Sequence, residues 1–300
     1  MAKIDICALK DMKDECVDSC ITDPARSATD QVSWVSSGEP TPLCWQDLFR
    51  ILKKGAHLIA FSTQGGYHSV ASAIEGAGFE IRDEIVWAHR SDLFEEGTGA
   101  PVKATHTPLV LARKPFGGTI KSNVLAAGVG ALNIDASRVP VDSDKHRKAW
   151  EALPLEMHQY APSGGRWPAN FIHDGSPSVL NLMPLVGEQG LSSGVGRKPM
   201  AKGSKWPALK LEERKADVTA EFFKKIKGLP EFNEQPVELL RYLIRLITPR
   251  GGLVFDPFAG FGSTAVAATA EGMRWQGAQT DAESISIIED RVKAVEGEVK

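Results

Sequence analysis

The stretch from Gly251 to Gly272, GGLVFDPFAGFGSTAVAATAEG, constrains this 300-residue chain more than any other. It reads as an apolar strand (Leu253–Phe255), a glycine-rich turn (Asp256–Gly262) and a helix (Ser263–Glu271). Gly260 and Gly262 carry no Cβ, so the backbone can turn sharply there and lie against a ligand. The helix start that follows offers unpaired N–H groups and a partial positive charge. Strand, glycine turn and helix start together make a nucleotide-type pocket. A lone GxG would be weak evidence, because many such turns are only tight connections. The full run DPFAGFGST is far more specific.

The chain before this unit alternates between strand and helix patterns. VDSCIT (17–22) reads as a buried strand that ends at Asp23-Pro24. Cys44–Leu52 has helical spacing, with Leu48, Phe49 and Leu52 on one face. Lys53-Lys54-Gly55 fits the end of that helix, with cations in the last turn and a glycine stop. His57–Ser62 is a strand, Tyr67–Ala77 a helix closed by Gly78, and Glu80–His89 and Thr107–Ala112 are further strands. The expected fold class is α/β: a doubly wound, mostly parallel sheet of the Rossmann-like type. Past Lys114 the periodicity fades until the amphipathic helix Pro236–Ile247. After the glycine unit, Trp275–Thr280 reads as a strand and Ala282–Val295 as a final helix.

This pattern divides the chain into residues 1–113, an irregular insertion over 114–229, and residues 230–300. The insertion holds Trp150, Trp167 and Trp206, and a run from Arg197 to Lys227 in which lysines and arginines outnumber acids. That run fits either a solvated loop or contact with nucleic-acid phosphates. Arg166, Trp167, Lys202, Lys205, Lys224 and Lys225 are the candidate nucleic-acid contacts. Net charge is −3, so any such binding must use local positive charge rather than a global field.

Hydrophobic residues make up 42% and charged residues 24% of the chain, the balance of an ordinary soluble globule. No apolar run approaches the ~20 residues of a membrane span, and the first residues lack the apolar core of a signal peptide. Cys7, Cys16, Cys20 and Cys44 show no CxxC pairing, and the histidines are scattered, so no metal is expected. These features point to a reducing cytoplasm.

The run DPFAGFGST resembles the S-adenosylmethionine loop of DNA amino-methyltransferases, which methylate adenine N6 or cytosine N4. The order of parts resembles the permuted (β-type) members: catalytic motif first, target-recognition insertion next, cofactor loop last. GALNIDASRV (Gly130–Val139), GRWPANFIHD (Gly165–Asp174) and HLIAFSTQGGYHSVASAIEGAGFEIRDEIVWAH look like phage and prophage members of this group. The resemblance covers nearly the whole chain. It implies S-adenosylmethionine, or an analogue of it, as cofactor. Asp256, Pro257, Phe258, Ala259, Gly260, Gly262, Ser263 and Thr264 would form its loop. It also implies DNA as a partner, and a homologous or identical subunit as a further possible one.

The family carries a tetrapeptide Asp-Pro-Pro-aromatic after its first long strand. Its carboxylate and a proline carbonyl accept hydrogen bonds from the amine of a flipped base, and the aromatic ring stacks on that base. The matching residues here are Asp23, Pro24, Ala25 and Arg26, so the motif keeps its first half only. A guanidinium can stack on a base. Two like charges at about 4 Å, however, repel by roughly 4 kcal/mol at an effective dielectric of ~20, so Arg26 beside a sulfonium would weaken cofactor binding or point elsewhere. The family's His-Pro-Thr-x-Lys-Pro motif is replaced by Glu231–Pro236, where only the last proline matches. The acid that holds ribose hydroxyls in such folds is replaced by Gln279, with Asp281 two residues on as a possible substitute.

Three readings stand at this point. The first is a working methyltransferase, with adenine favoured over cytosine because cytosine enzymes more often carry Ser in place of Asp23. The second is a weak or inactive homologue that binds DNA or partners an active subunit. The third is an enzyme whose donor carries an anion for Arg26 to pair with. The double variant Ala25→Pro with Arg26→Tyr separates the first two when methyl transfer to unmethylated DNA is measured. Activity confined to the variant identifies a degenerate homologue, whereas ordinary wild-type rates overturn the charge argument against Arg26.

Overall fold

The computed structural model describes residue 9 and residues 12–24, 45–89, 105–139, 167–173, 235–279 and 281–298. Its centre is β1 (Val17–Thr22), buried along its whole length. On one side β1 pairs in parallel with β2 (Leu52–Phe61), with Thr22 opposite Ala60. On the other it pairs in parallel with β6 (Leu253–Asp256), with Cys20 opposite Phe255. The remaining strands are β3 (Glu80–Ala88), β4 (His106–Arg113), β5 (Phe171–His173) and β7 (Arg274–Gly277). Among the described residues all seven form one sheet in the order β5-β3-β4-β2-β1-β6-β7.

The strand-helix alternation carried through as expected, with one strand reversed. β4 lies between β2 and β3 and runs antiparallel to both. A parallel neighbour needs a crossover, usually a helix, whereas an antiparallel one does not. The sequence shows a helix pattern between β2 and β3 but none between β3 and β4.

Both faces of the sheet are covered, as its alternating side chains require. Ile21, Ile59, Leu109, Leu111 and Val254 pack on one face under α4 (Val237–Ile247) and α5 (Ser263–Ala270). Cys20, Leu58, Ala60, Val110 and Phe255 pack on the other face with residues of α1 (Trp45–Ile51) and α2 (Tyr67–Gly76). Helix α4 buries Leu239, Leu240, Leu243, Ile244, Leu246 and Ile247. Each such side chain contributes about 1.5–3 kcal/mol relative to exposure. On its polar edge Arg241 and Arg245, spaced i,i+4 on one face, both grip Glu271 just past α5, at 2.8 and 2.7 Å. Burial alone would raise the Glu271 carboxyl, but the hydrogen bonds and charge of Arg245 and Arg241 outweigh it and hold it below 4.5. The last helix, α6 (Ala282–Glu298), packs Ile288, Val292 and Val295 against Ala265 and Val266 of α5.

Two local readings need correction. Lys53-Lys54-Gly55 does not end a helix, because these residues lie inside β2. Lys53 reaches the Asp18 carboxylate at 2.6 Å, and Gly55 donates to the Lys114 carbonyl at 2.9 Å. The register jumps from Val17↔Leu52 to Ser19↔His57, so β2 bulges here. Gly55 takes that bulge at φ +86°, with Asn123 so close that a Cβ would stand 2.3 Å from its amide nitrogen. Tertiary partners thus override a local helix-stop pattern.

The second correction concerns the insertion. Its described parts are not wholly irregular. They contain α3 (Ile120–Ala127), capped reciprocally by Thr119 and Ser122 and closed by Gly128 in the left-handed region. They also contain β5, which extends the sheet in parallel beside β3. Between them a short 3-10 turn (Asp135–Ser137) follows Asn133, whose N–H donates to the Leu246 carbonyl at the end of α4. No helix among the described residues is long and apolar enough to cross a membrane.

His57 supplies a stability test. Burial, with the charges of Arg113 and Arg82 adding, pushes its imidazole down from 6.5 to about 4. Below pH 6.5 the unfolded chain takes up a proton that the folded chain refuses. The His57 contribution is therefore complete above pH 6.5 and is lost as pH falls toward 4, by up to about 3 kcal/mol. Denaturant unfolding at pH 7, 5.5 and 4.5 is expected to show this slope in the wild type and a shallower one in His57→Leu.

Candidate functional site

The carboxyl ends of adjacent parallel strands are where doubly wound sheets bind ligands. Here β1 and β6 end side by side, and the chain leaves them on the same edge of the sheet. A cavity of about 340 Å³ opens there, lined by Thr22 at the end of β1 and Asp23 just after it, by Asp256 at the end of β6 and Phe258–Phe261 after it, and by Ser263 and Thr264 of α5. Ile21, Phe61, Leu240 and Gln235 complete the wall. The volume lies within the range of small-molecule sites.

The loop is shaped by its own backbone. Asp256 is buried, and its Oδ1 accepts from the Phe258 N–H at 3.0 Å, an Asx turn that starts the reversal. The Gly262 N–H then donates to the Ala259 carbonyl at 2.7 Å. Gly260 and Gly262 sit at φ +51° and +87°, where side chains are disfavoured. A Cβ on Gly262 would also stand 2.7 Å from Ile288 of α6. Gly262 is the N-cap of α5 and supplies no side-chain cap, so the positive end of the helix dipole is left for another acceptor. Buried Arg291 of α6 braces the turn from behind by donating to the Phe261 carbonyl.

The expected site residues divide into groups. Asp23, Asp256, Phe258, Ala259, Gly260, Ser263 and Thr264 come together around the cavity. Pro24, Pro257 and Gly262 are buried beside it and carry the backbone. Gln279 does not line it; its Nε2 donates to the Gly260 carbonyl at 2.8 Å and ties the end of β7 to the loop. Asp281 is exposed and starts α6, with Oδ2 accepting from the Ser284 N–H and hydroxyl at 2.8 and 2.7 Å. Those bonds hold its carboxyl below the usual carboxylate value. Trp167 is 65% exposed, with the Arg138 guanidinium 5.5 Å from its ring centre. Ala25, Arg26, Arg166, Lys202, Lys205, Lys224 and Lys225 lie outside the described residues.

Sequence reasoning missed Gln235, Phe61, Phe261 and Leu240 as parts of the wall. Gln235 could have been found, since it occupies the lysine position of the His-Pro-Thr-x-Lys-Pro pattern. It donates from Nε2 to Asp23 Oδ2 at 2.8 Å. Phe61 and Leu240 gave no local sign, because their place depends on strand pairing and helix packing. Thr22 adds a further feature: its hydroxyl oxygen is buried and has no partner among the described residues. Cys20, on β1 behind the cavity, is no candidate nucleophile, since burial, with Asp256 adding, pushes its thiol well above 9.0.

A doubly wound sheet with a glycine loop and an acid at adjacent carboxyl ends defines an α/β protein of the nucleotide-cofactor type. The family model for DNA methylases that act at N6 or N4 matches residues 43–290, and the chain belongs to that family. No curated protein sequence matches it. Among solved structures it is similar to TTHA0409 of Thermus thermophilus, described as a DNA modification methylase, at 18% identity and TM-score 0.50, covering 97% of this chain and 93% of that one. It is similar to M1.HpyAVI at 13% identity and TM-score 0.50, covering 95% and 93%. It is also similar to the cytosine-N4-specific PvuII DNA methyltransferase at 12% identity and TM-score 0.50, covering 99% and 90%. At these identities the structural likeness speaks for the fold.

The loop geometry gives a direct test. Gly262→Ala is expected to destabilise the chain by about 1–3 kcal/mol, through positive-φ strain and overpacking against Ile288. Thermal unfolding reads the loss, and the Ile288→Ala background should recover the packing part but not the strain.

Proposed function

We propose that the chain is an S-adenosylmethionine-dependent DNA amino-methyltransferase, acting on adenine N6 in preference to cytosine N4. One observation carries the reading: Asp23, the acid after β1, and the glycine loop after β6 share one cavity, although 233 positions separate Asp23 from Asp256 in the chain. The cavity suits such a donor. It combines a helix start without a side-chain cap, a turn that only glycine fits, half-buried aromatic rings at Phe258 and Phe261, and a buried Thr22 hydroxyl that has no partner among the described residues.

When bound, S-adenosylmethionine supplies a methyl group made electrophilic by its sulfonium. Ser263 and Thr264, at the start of α5, face the cavity and would meet the polar part of the donor. Phe258 and Phe261 offer apolar faces for its adenine. Asp23 accepts a hydrogen bond from the amine of the flipped base and so keeps the nitrogen lone pair directed at the methyl. The proton released when the amine is alkylated passes to Asp23 and on to water. In this reading residues 1–113 carry the acid, 230–300 the cofactor loop, and 114–229 target recognition, with Trp167 an exposed ring on the DNA side. The Asp23-Pro24 pair supports adenine over cytosine.

A second reading, a weak homologue that binds DNA or an active partner, draws support from the β7 end. Gln279 is turned to the Gly260 carbonyl and Asp281 caps α6, so neither supplies the usual ribose acid to the cavity. Calorimetric titration with S-adenosylmethionine followed by methyl transfer to unmethylated DNA tests both. The enzyme reading expects saturable binding, transfer to adenine, and a drop in transfer of about a hundredfold or more for Asp23→Ala with cofactor affinity kept. Absence of binding at millimolar cofactor overturns it, and binding without transfer establishes the second reading.

A further inference from the structure

The glycine loop is tied from outside at three points by the chain that follows β7. The Ala278 N–H donates to the Asp256 carbonyl at 2.9 Å, and the Ala278 carbonyl accepts the Ala259 N–H at 3.2 Å. Gln279 then donates from Nε2 to the Gly260 carbonyl at 2.8 Å. Its Oε1 accepts the Asp281 N–H at 3.1 Å, where the chain enters α6. The approach is close: a Cβ on Gly277 would stand 2.9 Å from the Ala259 Cβ and 3.2 Å from the Asp256 carbonyl oxygen. Such ties matter because glycine has the most backbone freedom to lose, and Gly260 and Gly262 both sit at positive φ in this loop. Gly260 itself lines the cavity, whereas Gln279 does not.

We infer that Gln279 is a positioning residue for donor binding: it holds the loop in the shape that receives S-adenosylmethionine, without touching the donor. This rests on the methyl-transfer reading above. Position 279 is where such folds place an acid on the ribose hydroxyls, and here the amide does what an acid cannot. An amide carries one acceptor and one donor group, an ionised carboxylate only acceptors. The two partners of Gln279 need one of each, since Asp281 offers an N–H and Gly260 a carbonyl. A glutamate would keep the first bond and set an oxygen against the Gly260 carbonyl. A loop left untied at Gly260 spreads over more backbone conformations, and the donor then has to select the competent one. Apparent affinity falls with the fraction of competent loops, while the step after binding is unchanged. Gln279 therefore acts on cofactor affinity rather than on methyl transfer.

The test uses the full-length protein with Gln279→Glu, which loses the donor alone, and Gln279→Met, which loses both bonds. Calorimetry reads S-adenosylmethionine affinity, and kinetics read methyl transfer at saturating donor. Loop positioning predicts a Kd raised about 3–10-fold in Gln279→Met and about tenfold or more in Gln279→Glu, with kcat within about twofold of wild type. Tighter binding by Gln279→Glu overturns the inference, because it shows the position to be a ribose contact that lacks its acid. An affinity unchanged in both variants also overturns it, as does a loss that falls on kcat as heavily as on Kd. If the wild type binds the donor without transferring methyl, the affinity comparison decides alone. If it binds no S-adenosylmethionine, the methyl-transfer reading fails separately, and hydrogen exchange at the Ala259 and Gly262 amides decides the hold on the loop. Exchange faster in Gln279→Met than in wild type sustains that hold, and equal exchange overturns it.

Discussion

The structure depends on β1 being hydrogen-bonded on both edges, to β2 from its own half of the chain and to β6 from the far end. Each edge is reinforced by side chains of β1 itself. Asp18 accepts the Leu253 N–H at 2.7 Å with one oxygen and the Lys53 ammonium at 2.6 Å with the other. One buried carboxylate therefore ties the starts of both neighbouring strands. Because the three strands are parallel, tying their starts aligns their ends. The acid after β1 and the glycine loop after β6 meet for that reason.

The same logic explains why α4 matters. It contributes no residue to the glycine loop, yet it brings Gln235 and Leu240 to the cavity and covers one face of the junction. Apolar burial presses it onto the sheet, and the Glu271 pair of ion contacts sets its position along α5. A partly buried carboxylate gripped by two guanidinium groups is costly to break from one side. The segment that leads into α4 with Gln235 is thus anchored by features distant from the chemistry.

Much of the frame was legible in the residues. The buried hexapeptide VDSCIT, the helix Pro236–Ile247 and the strand-turn-helix over Gly251–Gly272 appear where their periodicity and glycines put them. Local patterns were misleading where a tertiary partner outweighed them. Lys53-Lys54-Gly55 has the chemistry of a helix stop, but Asp18 and Lys114 draw it into a strand. Thr119–Gly128 forms a capped helix in a region whose overall periodicity had faded. Asp281 was weighed as a ribose acid by position, whereas its carboxylate is taken up by the first turn of α6.

The sequence by itself determined the family, the α/β alternation and the glycine loop, because those follow from short-range spacing and from backbone angles that only glycine tolerates. It also marked Asp23 as an acid at a strand end. Tertiary structure alone decided which wall that acid faces, and that Gln235 donates to it. It also decided that Gln279 braces the loop, and that β4 runs against its neighbours. The wall and the contact between Gln235 and Asp23 depend on strand order and helix packing between residues more than 200 positions apart, and no local pattern encodes a distance of that kind.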